Sequence, residues 1–288
     1  MGALSLEGAF WRKWARLGAR GPSWFARWAP PVLGVAFATI ATEPRRSIVR
    51  NLRRVRGRRN VLREGLEVAE TFATYASCLT EALGADADGR EMPEVVVTGQ
   101  AHVDAALADK RGLLLVTAHT AGWEIVGALV GRRRGLRLLV AEHAERDAKA
   151  RLIQDEARQG EGVQVAHIGA GPFAALGLMK HLRDGGAVAL QIDRVPHGVR
   201  ARRVTLLGES AGVPEGPLRL AMLSGAPILP IFTARRGHRR YEIMAHRPIR
   251  LSRSETDVAL DAAAQQIASA LETFARAHPT QWFHFRAD

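Results

Sequence analysis

The stretch "LLLVTAHTAGWE" (residues 113–124) carries an apolar segment straight into a histidine, with a glycine three positions after His119 and a glutamate five positions after it. A short unbroken apolar run ending in polar and turn-forming residues is the pattern of a strand buried on both faces, as in the middle of a parallel sheet. Similar segments repeat on either side of it. "EVVVTG" (94–99) precedes the helical "HVDAALADK" (102–110), and residues 113–118 precede the helical "GWEIVGALV" (122–130). "LRLLVAE" (136–142) leads into "DAKARLIQDEAR" (147–158), "VQVAHI" (163–168) into "FAALGLMKHLRDG" (173–185), and "AVALQI" (187–192) follows. Strands alternating with helices predict an α/β fold, a mostly parallel central sheet flanked by helices. Two later strands, "APILPIFTA" (226–234) and "RYEIMAH" (240–246), are expected to close the sheet, and an Ala-rich amphipathic helix is expected at 257–277. Ahead of the sheet, Leu66, Ala69, Phe72, Ala76, Leu79 and Leu83 recur at steps of three and four, which predicts a helix over 65–83 with one buried stripe.

The chain has 288 residues, 47% of them hydrophobic, enough for one large α/β core without covalent staples. Cys78 is the single cysteine, which excludes an internal disulfide framework or a Cys-rich zinc site and fits a reducing compartment. It falls in the apolar pattern of residues 65–83 and reads as core. A formal charge of +12, mostly from arginine, points to an anionic partner. Charge alone does not choose among nucleic acid, an acidic carrier protein and an anionic membrane.

Its distribution is more informative. Residues 29–41, "APPVLGVAFATIA", are uncharged, but at 13 residues they fall short of the ~20 that a helix needs to span a bilayer. Before them stand Trp11, Trp14, Trp24 and Trp28, interleaved with Arg12, Lys13, Arg16, Arg20 and Arg27. After them, residues 43–59 hold eight arginines and one acid. Indole and guanidinium groups settle at lipid headgroups, and basic runs are drawn to anionic lipid. Residues 1–59 therefore read as a segment that lies on a membrane face, ahead of an α/β domain at 60–288. A solvated basic helix with core tryptophans is the plainer alternative. Basic clusters flanking Trp-rich apolar sequence, with no recognisable recognition helix, argue against a nucleic-acid binder.

Two motifs could carry chemistry. In open α/β sheets reactive groups gather where strands end, and His119 stands at such a junction. Were Thr120 the N-cap of the next helix, His119 and Glu124 would occupy the N′ and N4 positions, whose side chains meet. A carboxylate on one ring nitrogen fixes the tautomer and leaves the other nitrogen to take a proton from a hydroxyl. Gly122 leaves backbone room for a ligand there. The plainer reading has Glu124 complementing a helix dipole while His119 packs at a strand end. The second motif, "GESAG" (208–212), satisfies the G-x-S-x-G nucleophile elbow of a serine esterase with Ser210 as nucleophile. Its setting fits poorly: the preceding strand is studded with arginines, and Gly216 and Pro217 are expected to break a helix opened by Pro214. No metal-ligand spacing, Walker loop or G-x-G-x-x-G is present.

Taken together, "HTAGWE" (119–124), "NLRRVRG" (51–57), residues 190–232 and "HPTQWFHFR" (278–286) resemble, in order, the motifs of the lipid A late acyltransferases and phosphatidylinositol mannoside acyltransferases, His-x4-Glu members of the glycerolipid acyltransferase superfamily. The resemblance implies acyl transfer from an acyl thioester, on acyl-carrier protein or coenzyme A, to a hydroxyl of a lipid or glycolipid, with no cofactor or metal. It implies that His119 is the general base and Glu124 its partner. It sets Gly122, Trp123, Arg158, Asp193, Arg194 and Glu209 on the substrate side, and the protein on the cytoplasmic face of the inner membrane among anionic lipids. Two departures stand out. Where the family commonly has Asp-x-Asp, this chain has Asp193-Arg194-Val195, and Leu206-Leu207 replaces paired phenylalanines before a glycine.

Overall fold

The computed structural model describes residues 15, 18, 21–84, 93–124, 135–143, 164–168 and 172–285. Trp11, Trp14, Arg158, the helix expected at 147–158 and all but the start of the helix expected after His119 lie outside the described residues.

The centre is a seven-stranded sheet of β1 (Glu94–Thr98), β2 (Leu113–Thr117), β3 (Leu138–His143), β4 (Gln164–Ile168), β5 (Ala187–Gln191), β8 (Ile228–Gly237) and β9 (Arg240–Ala245). Their order is β1-β9-β8-β2-β5-β3-β4. Strands β8, β2, β5, β3 and β4 run parallel, while β9 is antiparallel to β8 and takes β1 with it. The fold is thus α/β with a mostly parallel sheet. The two late strands do not close an edge as expected. They insert between β1 and β2, because β8 pairs with β2 and the tight β8–β9 hairpin then presents a free edge to β1.

All five residues of β2 are buried. Alternation along the strand sends Leu114, Val116 and Ala118 to one face and Leu113 and Leu115 to the other. The first face packs under α5 (Pro172–Arg183), α6 (Glu215–Ser224) and α7 (Asp257–Ala277), the second under α3 (Val61–Leu83) and α4 (Gln100–Leu107). Burial of β2 on both sides is what makes its continuous apolar run necessary.

Two further helices, α1 (Ser23–Ile40) and α2 (Thr42–Arg56), precede α3. The side chain of Asn60 accepts a hydrogen bond from the Arg63 N–H and caps α3. Helix α1 lies tightly on α3, since a Cβ at Gly34 would overlap the Phe72 carbonyl. Phe37, Ile48, Leu52, Val68 and Phe72 form one cluster across all three helices, so the expected division between residues 59 and 60 runs through a shared hydrophobic contact.

Strands β6 (Ala201–Leu206) and β7 (Glu209–Pro214) form a separate antiparallel hairpin turned by Leu207 and Gly208, both with positive φ. This overturns the esterase reading of "GESAG". Ser210 is an exposed residue of β7, paired with Thr205, and no strand-to-helix elbow surrounds it. Nor does Pro217 break a helix. It sits in the first turn of α6, where its missing N–H would have had no intrahelical partner.

Candidate active site

Strand register brings the site together. The β2–β5 ladder ends at Thr117 opposite Gln191, and the Ile192 N–H donates to the Thr117 carbonyl at 2.9 Å. Two residues further along each strand stand His119 and Asp193. Neighbouring parallel strands therefore deliver an imidazole and a carboxylate side by side at their carboxyl ends.

His119 Nδ1 lies 2.8 Å from Asp193 Oδ1, and the His119 backbone N–H donates to Asp193 Oδ2 at 3.2 Å. The indole N–H of Trp282 donates to the same Oδ2 at 3.0 Å. The Asp193 side chain is 0% exposed and the imidazole 24%, so the pair is solvent-shielded on the aspartate side and open on the histidine side. Burial opposes charge on Asp193, but the attraction and hydrogen bond of His119 outweigh it, with Arg194 and His284 adding, and the carboxyl is held well below the usual range. An ionised carboxylate on Nδ1 makes Nδ1 the protonated nitrogen and leaves Nε2 as the acceptor.

The carboxylate on Nδ1 is thus Asp193, where the spacing in the sequence had suggested Glu124. The local reason is that Thr120 does not cap a helix. Its hydroxyl turns inward to that of Thr233 at 3.1 Å, and its backbone bridges to Trp282. A turn at Ala121 and Gly122 follows, and helical geometry begins only at Trp123. The N′-to-N4 arrangement that would have brought Glu124 to the ring is not formed; Glu124 is half-buried in the first helical residues. Gly122 also has another purpose than the one expected. It has φ of 77°, and a Cβ there would overlap the ring of Tyr241, so the space is taken by Tyr241 rather than left for a ligand.

Tyr241 is itself held. Its hydroxyl donates to Glu81 Oε2 at 2.5 Å, and the buried Glu81 carboxylate also receives Arg235 Nη2 at 2.7 Å and the Arg239 N–H at 3.1 Å. Cys78 is buried in the core, as its pattern indicated, and that burial, with Glu81 beside it, pushes its thiol up to about 12.

The C-terminal residues 281–284 form the wall behind the pair. The Ala121 N–H donates to the Gln281 carbonyl at 3.1 Å and the Phe283 N–H to the His119 carbonyl at 2.7 Å. The amide of Gln281 receives the Arg235 N–H at 2.7 Å and donates to the Arg235 carbonyl at 3.2 Å. Asn51 of α2 donates to the His284 carbonyl at 2.8 Å, which gives the buried Asn of "NLRRVRG" a structural purpose. The sequence marked "HPTQWFHFR" by resemblance, but the bond from Trp282 to Asp193 had no local signature, because Trp282 stands 163 residues after His119 and shares no spacing rule with it.

Of the other expected positions, Trp123 is half-buried against the α3–α4 face of the core. Arg194 is half-buried beside the pair, its Nη2 3.4 Å from the Phe283 carbonyl. Glu209 opens β7 beside the hairpin turn, where it forms an ion pair with Arg54 at 3.0 Å and ties the hairpin to α2.

A buried aspartate on Nδ1 of a partly exposed histidine thus stands at the carboxyl ends of two neighbouring parallel strands. The sequence profile of the bacterial lipid A biosynthesis acyltransferases matches residues 4–287, and the chain belongs to that family. It is similar to the phosphatidylinositol mannoside acyltransferase of Mycobacterium tuberculosis (strain ATCC 25618 / H37Rv), 32% identical over 140 residues, which are 47% of this chain and 42% of that protein. The enzyme of the same name from Mycolicibacterium smegmatis is 29% identical over 189 residues, 63% of this chain and 60% of its own. The chain thus spans less than two thirds of the length of these curated relatives. Among solved structures, the 1-acyl-sn-glycerophosphate acyltransferase PlsC of Thermotoga maritima aligns over 86% of this chain and 98% of its own, with a TM-score of 0.41 and 13% identity.

Proposed function

We propose that the protein transfers an acyl chain from an acyl thioester, on acyl-carrier protein or coenzyme A, to a hydroxyl of a membrane lipid or glycolipid. The observation that carries this reading is the buried Asp193 on Nδ1 of a partly exposed His119. Nε2 takes the proton of the acceptor hydroxyl as its oxygen attacks the thioester carbonyl. The tetrahedral intermediate then collapses, the carbon–sulfur bond breaks, and the leaving thiolate recovers the proton from the imidazolium. A thioester is activated enough for one positioned base to suffice, so no covalent enzyme intermediate is required. Asp193 stabilises the imidazolium formed in the first step, and Arg194, beside it, supplies positive charge for a phosphate of the acceptor or the donor.

We also assign α1 to a membrane face, with the protein on the cytoplasmic side of an inner membrane. One side of the helix packs on α3 through Ala26, Pro30, Gly34, Phe37 and Ala38. The opposite side leaves Trp24, Trp28, Val32 and Leu33 more than half exposed, and Arg27 lies over the Trp28 ring at 5.1 Å. A helix apolar all round, with indole and arginine at its surface, suits a lipid interface. No helix among the described residues is long and apolar enough to cross a membrane, which agrees with docking along the surface.

Mass spectrometry of total lipids from cells with the gene, without it and with His119→Ala tests the reaction. A lipid heavier by one acyl group, present only with the intact chain, is expected. Its persistence with His119→Ala would refute the assignment of the base.

A further inference from the structure

We propose that Trp282 is a positioning residue of the site, whose indole N–H holds the Asp193 oxygen that the imidazole does not use and so keeps the other oxygen aimed at Nδ1. The inference rests on the reading of His119 as the base and extends it to a third member.

The division of labour on the carboxylate is explicit. Among the described residues, Oδ1 faces His119 Nδ1, while Oδ2 is taken by two N–H donors, the His119 backbone and Trp282 Nε1. With the side chain 0% exposed, water does not stabilise the anion, so protein donors have to do so. Of the two donors on Oδ2, the backbone N–H belongs to His119 itself and moves with it. Trp282 therefore supplies the independent reference that prevents the carboxylate from turning about its own axis.

Trp282 is equipped to serve as that reference. Its ring is 3% exposed and stacks on His284 with centroids 5.3 Å apart and planes 10° apart. The flanking residues are tied to the segment after β2 through His119 and Ala121, to β8 through Arg235 and to α2 through Asn51. Core packing alone would be satisfied by any large aromatic ring at this position. An indole nitrogen pointed into a buried carboxylate is what packing does not require.

Trp282→Phe keeps the ring bulk and deletes the donor. The expected result is a fall in kcat of roughly 10- to 100-fold with KM for the thioester little changed, since the loss is one of alignment rather than binding. The acid limb of the pH–rate profile should also move to lower pH, because a carboxylate free to turn away from Nδ1 holds the protonated ring less firmly. A second measurement is independent of activity and of how well that variant folds. In full-length protein labelled with 15N at its six indoles, one N–H signal should lie well downfield and move upfield on Asp193→Asn, and the same signal should be lost in Trp282→Phe. Wild-type kcat and pH profile in Trp282→Phe, or an indole spectrum unaffected by Asp193→Asn, would overturn the proposal and leave Trp282 as packing. Full acyl transfer by His119→Ala would instead sink the reading of the base, and the indole result would still report whether the Trp282–Asp193 bond exists.

Discussion

Replacing Asp193 by Asn removes one charge from the site while preserving shape, and the structure sets the size of the effect. The carboxylate is fully buried and 2.8 Å from the imidazole nitrogen. Two unit charges centred about 4 Å apart at an effective dielectric constant near 20 attract by about 4 kcal/mol. The imidazolium exists only after the acceptor hydroxyl has begun to lose its proton, so this attraction is felt in the transition state and hardly in the ground state. At about 1.4 kcal/mol per tenfold, Asp193→Asn should lower kcat/KM by roughly 10³-fold. Asparagine can also present its NH₂ to Nδ1, which would favour the wrong tautomer and add to the loss. The assay is release of free thiol from a long-chain acyl-CoA, and separately from an acyl-carrier thioester, over dispersed polar lipids. Product is confirmed by the mass of the acylated lipid. Glu124→Gln, measured in parallel, should leave the acid limb of the pH profile in place, because Glu124 is not the carboxylate on Nδ1. Activity of Asp193→Asn within threefold of wild type would refute the reasoning, as would an acid limb that moves in Glu124→Gln and not in Asp193→Asn.

Three other expectations follow from particular contacts. Gly122→Ala puts a Cβ into the Tyr241 ring at a left-handed backbone position, and Tyr241 cannot yield because Glu81 holds its hydroxyl. The expected cost is about 2–4 kcal/mol from backbone conformation and overpacking together, read as a drop of roughly 5–15 °C in thermal midpoint; an unchanged midpoint would mean that the loop is soft. The Asp193 carboxyl is held below its ordinary range in the folded chain, so its ionisation contributes stability above about pH 4 that is lost as the pH falls further. Urea midpoints measured from pH 6 to pH 2.5 should therefore decline more steeply in wild type than in Asp193→Asn, and parallel curves would contradict the linkage. Trp24→Ala combined with Trp28→Ala removes two indoles that are 66% and 61% exposed on α1, and should weaken flotation with anionic vesicles by roughly 10-fold or more; unchanged flotation would move the membrane face elsewhere.

Much of the fold was readable along the chain because it depends on local periodicity. The apolar run of β2 and the alternating strands and helices record which segments are buried, whereas of the stripe expected on α3 Phe72 and Leu83 are buried and Leu66 is 71% exposed, because the buried face runs through Val68, Thr71 and Cys78. Order in the sheet was less readable, since the insertion of β8 and β9 beside β2 is a matter of long-range pairing that no local pattern encodes.

His119 was legible for the same reason as β2: an imidazole at the end of a buried strand has a local signature. Its partner was not. Distance along the chain favoured Glu124, five residues away, while register between parallel strands delivered Asp193, 74 residues away, onto Nδ1. Glycine at 122 was likewise required by a ring from β9, and Trp282 reached the site from the far end of the chain. Composition and periodicity determine which segments are buried and where strands end. Which two side chains then meet at those ends follows from strand order and register, because hydrogen-bonded neighbours in a sheet are chosen by the whole packed core.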